Sequence, residues 1–273
     1  RRPSGTSQNQ INMKLVNILV TWIFLSAMIA ANALANILPI NQLNTGQISA
    51  FYPNYFVPAG FTFSIWGIIY LLLINYAISY TYFTVLSDKF PKVAAYLSVI
   101  NKWFLVTCFL NASWILAWHY LWIWTSVLIM LLFLSTLIYI FITGKEKENS
   151  LNKTQSFLLY TPFLVYLGWI SVATIANTTA LLVKIDWNGF GISPVTWSLI
   201  MMITATILAI YFIWVEKTVS YSLVIMWALW GIRAARTEDA PFLSQAALVG
   251  LVLIFIVLVS ALWIAKRNKP LND

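Results

Sequence analysis

Charge is what this chain has least of: only 9% of its 273 residues are Asp, Glu, Lys or Arg, while 61% are hydrophobic. A soluble domain carries about 25% charged residues, so this chain cannot cover a water-facing surface with polar groups and reads as a membrane protein. The same shortage excludes intrinsic disorder, collagen and a cytosolic α/β enzyme. The single cysteine, Cys108, lies in an apolar run, which excludes a disulfide framework, a CxxC redox pair and a thiolate metal centre. A single histidine, His119, excludes an imidazole metal cluster. All eight carboxylates (Asp88, Glu146, Glu148, Asp186, Glu216, Glu238, Asp239 and Asp273) fall in expected loops or at helix ends. Without one at mid-membrane, a proton- or sodium-coupled pump lacks the buried titratable relay it needs. No lysine lies inside the last three apolar runs, so a retinal Schiff base has no anchor.

What is present is a succession of apolar runs. A hydrocarbon core of about 30 Å takes about 20 residues of helix, and eight runs qualify: 15–38, 59–86, 94–118, 121–142, 155–183, 194–215, 219–235 and 242–265. Leu15 to Leu38 is long enough to span, and more spans follow it, which separates it from a cleaved signal sequence. Continuous apolarity excludes barrel strands, which would alternate polar and apolar residues. The seventh run is the shortest and ends in Arg233 and Arg236.

The formal charge of +8 is split into short basic clusters between these runs, which excludes a nucleic-acid groove and instead orients the spans. With eight spans, one side holds Arg1, Arg2, Lys14, Lys89, Lys92, Lys145, Lys147, Lys153, Lys217, Lys266, Arg267 and Lys269. The other holds Lys184, Arg233 and Arg236, with Lys102 left near the start of the third span. The positive-inside rule then places both termini in the cytoplasm.

Three spans carry aromatic and amide stripes at helical spacing: Phe63, Trp66 and Tyr70; Asn111, Trp114 and Trp118; Trp169, Ala173 and Asn177. An unpaired amide in hydrocarbon costs several kcal/mol, so Asn111 and Asn177 are expected to point into the bundle. Interfacial belts and helix packing compete as explanations for each tryptophan, but a belt does not call for an asparagine on the same face. The loop Asn41–Val57 carries no charge, yet holds Phe51, Tyr52, Tyr55 and Phe56, with Pro53 and Pro58 to stiffen it. It reads as a lid over the outer end of the bundle, or as a loop lying on the headgroups.

The stretch Pro58-Ala-Gly-Phe61-Thr-Phe63-Ser-Ile-Trp66-Gly-Ile-Ile-Tyr70, then Asn111-Ala-Ser-Trp114, then Trp169-Ile-Ser-Val-Ala173-Thr-Ile-Ala-Asn177 resembles the TspO/MBR family. These are the tryptophan-rich sensory proteins related to the mitochondrial translocator protein, or peripheral benzodiazepine receptor. The second helix departs from the family pattern at Ala59, Phe61 and Ile65, is one residue shorter between Phe63 and Trp66, and the fifth has Val165 where the family has proline. The likeness covers residues 15–185 and is greatest to longer bacterial members that append three helices and carry a run like Asp186–Ser193.

The resemblance implies an all-α membrane fold divided into a polar tail 1–14, a TspO-like five-helix domain 15–185, a three-helix extension 186–265 and a basic tail 266–273. It implies a Trp-lined pocket for a hydrophobic planar ligand, a porphyrin or haem-type tetrapyrrole or a sterol, lined by Pro58, Phe61, Phe63, Trp66, Tyr70, Asn111, Trp114, Trp118, Trp169, Ala173 and Asn177 under the Phe51–Phe56 lid. It further implies a homodimer, no obligatory cofactor, and, in some members, light-dependent porphyrin breakdown. A flat macrocycle does want apolar walls, stacking partners and few polar groups.

His119, beside Trp118, is a haem-ligand candidate set against an interfacial histidine bonded to water or backbone. A cholesterol-type pattern can be written as Val93, Tyr96 and Lys102. No serine has a histidine or carboxylate expected at its depth, which leaves no nucleophile with its base. A sensor-like binding protein therefore stands beside a second reading, an accessory subunit of a larger membrane complex that contacts lipid, carotenoid or partner helices. The bacterial inner membrane is the expected location.

Overall fold

The computed structural model describes residues 5–38, 40–147 and 151–267. Among these the regular elements are all helices: α1 (Gly5–Ile37), α2 (Thr45–Ala50), α3 (Ile65–Val85), α4 (Pro91–His119), α5 (Ile123–Lys147), α6 (Lys153–Leu159), α7 (Thr161–Lys184), α8 (Pro194–Trp214), α9 (Ser220–Ala235) and α10 (Pro241–Arg267). Seven (α1, α3 with its preceding turn, α4, α5, α7, α8 and α10) are long and apolar enough to cross a membrane. The chain is an all-α integral membrane protein.

Prolines punctuate the fold where their fixed φ and missing N–H allow. Pro91, Pro194 and Pro241 open α4, α8 and α10, and the Ser193 hydroxyl caps α8 by accepting from the Thr196 N–H at 3.1 Å. Pro162 opens α7 in the same way, so the expected span 155–183 is two helices that part at Tyr160. The first, α6, starts on a capping box in which Asn152 and Gln155 each satisfy the other's backbone N–H at 2.9 Å. The expected span 59–86 likewise opens as a 3₁₀ turn, Gly60–Ser64, before the α-helix begins at Ile65. Residues 1–4 of the expected polar tail, and 268–273 of the basic one, lie outside the described residues, as does Glu148. From Gly5 the chain is already helical.

The expected seventh span is a helix, but α9 has only 16 residues. At 1.5 Å per residue that is about 24 Å, short of a full crossing. It still runs against both neighbours: the Ser222 hydroxyl donates to Ala209 of α8 at 2.7 Å, and the Ser244 hydroxyl of α10 donates to the Arg233 carbonyl at 3.1 Å.

By backbone proximity the chain forms two compact units. One takes the chain up to Thr45 with Trp66–Leu164; the other takes Gly46–Ile65 with everything from Val165 onward. In the first unit two polar rungs tie α1 to α4. The Asn32 side-chain N–H donates to Asn111 Oδ1 at 2.5 Å, and that of Asn101 donates to Thr21 Oγ1 at 2.8 Å. Because 21 pairs with 101 and 32 with 111, α1 and α4 run parallel. Trp66 meets Trp114 and Tyr76 meets Asn101, so α3 runs against α4. That is the alternation an up-and-down membrane bundle requires. Around Tyr76, fully buried, Phe104 and Phe163 stand edge-on with centroids 4.8 and 4.9 Å away.

In the second unit the turn Gly60–Ser64 is seated on α9. The Ala59 N–H donates to the Gly231 carbonyl at 3.0 Å and the Trp227 indole donates to the Thr62 carbonyl at 2.9 Å. Glycine is required at 231, since a Cβ there would lie 2.0 Å from Thr62 Oγ1 and 2.9 Å from Pro58 Cβ.

Two outcomes follow for the protein purified in detergent. Gly231→Ala should lower thermal stability by about 1–3 kcal/mol through overpacking, whereas Gly67→Ala, with nothing within 4 Å of the added carbon, should be neutral or slightly stabilising. Equal melting shifts for the two would contradict this seating. Asn111→Leu alone should cost about 1–2 kcal/mol by stranding the Asn32 amide, and the Asn32→Leu/Asn111→Leu pair should recover most of that. Strictly additive losses in unfolding titrations would refute the rung.

Candidate functional site

The expected site residues fall into two groups, one in each unit. In the first unit four aromatic rings form a ladder along α3 and α4. Tyr70 stacks on Trp66 (centroids 5.6 Å, planes 22° apart), Trp66 on Trp114 (6.1 Å, 27°) and Trp114 on Trp118 (6.2 Å, 21°). The i, i+4 spacing on each helix and the antiparallel register of the pair put all four rings in one file. The offset, near-parallel geometry is what aromatic quadrupoles favour. Trp114 and Trp118 are buried while Trp66 and Tyr70 are half-buried, so the α3 end of the ladder is its accessible end.

The ladder's two buried indoles differ in their hydrogen bonding. Trp118 Nε1 donates to the Thr45 carbonyl at 3.3 Å, whereas Trp114 Nε1 is buried with no hydrogen-bond acceptor. One turn before Trp114, Asn111 is fully buried and accepts from Asn32. Asn32 itself reaches back to the Met28 carbonyl at 2.9 Å. The cost argument that singles out Asn111 applies equally to Asn32, an amide in the middle of an apolar span, and would have found it.

The second unit holds Pro58, Phe61, Phe63, Trp169, Ala173, Asn177 and the loop expected to form the lid. Phe63 meets Trp169 edge-on at 6.0 Å and 86°. Trp169 and Asn177 are buried and Ala173 half-buried, one above another along α7. Phe63 sits in the 3₁₀ turn, where the rise and twist per residue differ from the α-helix that follows. Pro58 is buried against Gly231, and the half-exposed Phe61 ring meets the Trp227 indole at 5.6 Å. Sequence reasoning missed Thr62, Trp227 and Gly231. Their signal, Trp227 and Gly231 at i, i+4 on α9, has meaning only once the partner segment is known.

The loop is folded. Asn54 Oδ1 accepts from the backbone N–H groups of Phe56 and Val57 at 3.0 and 3.1 Å, an Asx turn that buries the Phe56 ring. The Arg236 guanidinium lies 5.8 Å from the Tyr55 ring centroid. Burial pushes the Tyr52 phenol above its ordinary pKa, and only Phe51 among the four rings is exposed.

His119 closes the helix that carries Trp114 and Trp118. It is fully buried at the end of α4, neither ring nitrogen has a hydrogen-bond partner, and its carbonyl accepts from Asn41 at 3.3 Å. Among the described residues, no three His, Cys, Asp or Glu side chains gather to hold a metal ion. Val93 and Tyr96 of the cholesterol-type pattern are both buried, which keeps that pattern off the lipid face. The span hydroxyls Thr136, Ser171, Thr174, Thr179 and Thr206 each donate to the carbonyl four residues back, satisfying themselves within their own helix.

The family model described as TSPO-like protein matches residues 17–260, nearly the whole chain. No curated protein and no solved structure matches it. The chain belongs to the TSPO-like protein family.

Proposed function

We propose that this member of the TSPO-like family binds a hydrophobic planar ligand, of the porphyrin or tetrapyrrole class or sterol-like, and that the loop Phe51–Phe56 is a lid within the second unit, over the group that holds Phe63, Trp169 and Asn177. The observation that carries the reading is the ladder Tyr70–Trp66–Trp114–Trp118. Four co-facial rings, half-buried at one end, match the π-face of a flat aromatic ligand and offer edges and apolar walls to a sterol. The buried Trp114 N–H adds a donor for a ligand carbonyl or carboxylate. Span hydroxyls that donate to the carbonyl one turn back in their own helix support binding over nucleophilic chemistry. As orientation, we propose that α9 also traverses the membrane despite its 16 residues, so that both termini lie on the cytoplasmic face of a bacterial inner membrane with the basic clusters of that side.

Titration of the detergent-purified protein with protoporphyrin IX tests the ligand. A saturable quench of tryptophan fluorescence is expected, with Trp66→Ala and Trp114→Ala each weakening apparent affinity about tenfold, the loss of one stacking partner. Trp263→Ala, on the exposed end of α10, should leave it unchanged. An unsaturable response indifferent to Trp66→Ala and Trp114→Ala would end this reading in favour of an accessory subunit. Orientation can be tested against a silent background, because Cys108 is buried. An impermeant maleimide applied to intact cells or spheroplasts should label Glu238→Cys and spare Glu146→Cys; the opposite pattern would invert the topology.

A further inference from the structure

We propose that the corner joining α9 to α10 is a latch: through Arg236 it holds the loop Phe51–Val57 in place and so sets how fast a ligand enters and leaves. The inference rests on the reading of that loop as the lid of a ligand site. Its own evidence lies entirely within the second unit.

The corner is a built structure. The Thr237 and Ser244 hydroxyls both donate to the Arg233 carbonyl, at 3.0 and 3.1 Å, and the Ser244 N–H donates to the Ala240 carbonyl at 3.2 Å. Together these fix the path from the last turn of α9 into α10. Arg236, the C-cap of α9, then has one nitrogen on Asp239 Oδ2 at 2.5 Å while its guanidinium carbon lies 5.8 Å from the Tyr55 ring centroid. The Arg236 side chain is only 16% exposed, against 51% for Asp239, so its charge is partly desolvated where it meets the ring. Desolvation strengthens a cation–π contact. Arg236 Nε is buried without a hydrogen-bond acceptor, a cost that the ring contact and the Asp239 pair must offset.

The loop reaches this corner with little slack. Ala59, two residues past the Asx turn, is tied by its N–H to Gly231, and Trp227 holds the Thr62 carbonyl. The C-terminal end of the loop is therefore clamped to α9 by backbone and indole hydrogen bonds. Tyr55 is left as the point at which the remaining arc is held or released. Only a planar cation placed by a carboxylate makes that hold directional.

The test uses the full-length protein in detergent, with two readouts. Hydrogen exchange of the peptide covering 51–59 reports the latch without any ligand. Stopped-flow quenching by protoporphyrin IX reports entry and exit. Arg236→Gln should raise loop exchange roughly three- to tenfold, the worth of one such contact, and should speed association and dissociation together, so that Kd moves less than either rate. Tyr55→Leu, which leaves the Arg236–Asp239 pair in place, should reproduce both effects and stands in if Arg236→Gln fails to fold. Arg233→Gln, whose guanidinium lies over Trp230 instead, should leave loop exchange at the wild-type rate. Unchanged loop exchange in Arg236→Gln and Tyr55→Leu, or an equal rise in Arg233→Gln, would overturn the latch. Absence of a saturable quench in the wild type, with loop exchange still raised in the variants, would overturn the ligand reading and leave the latch standing.

Discussion

Hydrocarbon offers no hydrogen bonds, and the arrangement of this chain follows from that. Every polar group that a span carries must find its partner inside the protein. Hydroxyls can do so within their own helix, by donating one turn back, as Thr136, Ser171, Thr174, Thr179 and Thr206 do. Amides have too many donors and acceptors for that, so an asparagine in a span obliges a second helix to come close. Asn32 and Asn111, and Asn101 with Thr21, meet that obligation between α1 and α4. Two rungs about three turns apart fix the rotation and register of both helices. Once α4 is fixed, the file of Trp114 and Trp118 is fixed with it, and α3 brings Trp66 and Tyr70 onto the same file. The aromatic ladder depends on a pair of amides that lie beside it.

In the second unit close approach does the work that amides do in the first. Gly231 removes the one side chain that would separate α9 from the turn Gly60–Ser64, and the space is taken by Pro58 and Thr62. The contact leaves the Ala59 N–H within reach of a helix carbonyl, which matters because a 3₁₀ turn leaves its first N–H groups without partners of its own. Gly168 on α7 acts similarly, with Val224 and the Tyr221 carbonyl at 3.0 and 3.1 Å from where its Cβ would be. Small residues let backbones meet where there is no hydrophobic effect to press helices together.

Much of the scaffold was legible from composition and period. Apolar runs of about 20 residues located each crossing helix, because the bilayer imposes that length on any sequence, although α1 begins ten residues before its expected start and α7 six after. The stripe on α4 was legible too, since its helix is regular from Pro91 to His119. The reading failed where local geometry left the α-helix. Pro162 splits one expected span, and the Gly60–Ser64 turn takes Phe63 off the α-helical period that Trp66 and Tyr70 follow. The partners of Trp227, Gly231 and Arg236 were illegible for a different reason. Each lies some 165 to 180 residues from the segment it holds, and no periodicity encodes a contact at that separation. The boundary expected at 185/186 rests on where a motif ends, whereas packing also groups residues by which helices approach one another, and that draws Gly46–Ile65 to the C-terminal helices.

The make-up of a span also tells how much lipid it faces. In the second unit α7 carries Trp169, Asn177 and several hydroxyls, and 61% of its most apolar stretch is buried; α10 is mainly aliphatic, with Gln245 and Trp263 near its two ends, and only 17% of its own is. An aliphatic surface loses nothing by facing acyl chains, because lipid solvates it as well as another leucine would. Amides and indoles do lose, since lipid cannot supply their hydrogen bonds. A span rich in them is drawn to the interior, and a span without them is free to form the wall. In the first unit the same rule sets α4, half-enclosed with its asparagines and tryptophans, apart from α1, of whose most apolar stretch 33% is buried. The residues that make a span expensive in lipid are also those able to recognise a ligand. Side chains of that kind are concentrated on α4 and α7, whereas α10 presents mainly aliphatic surface.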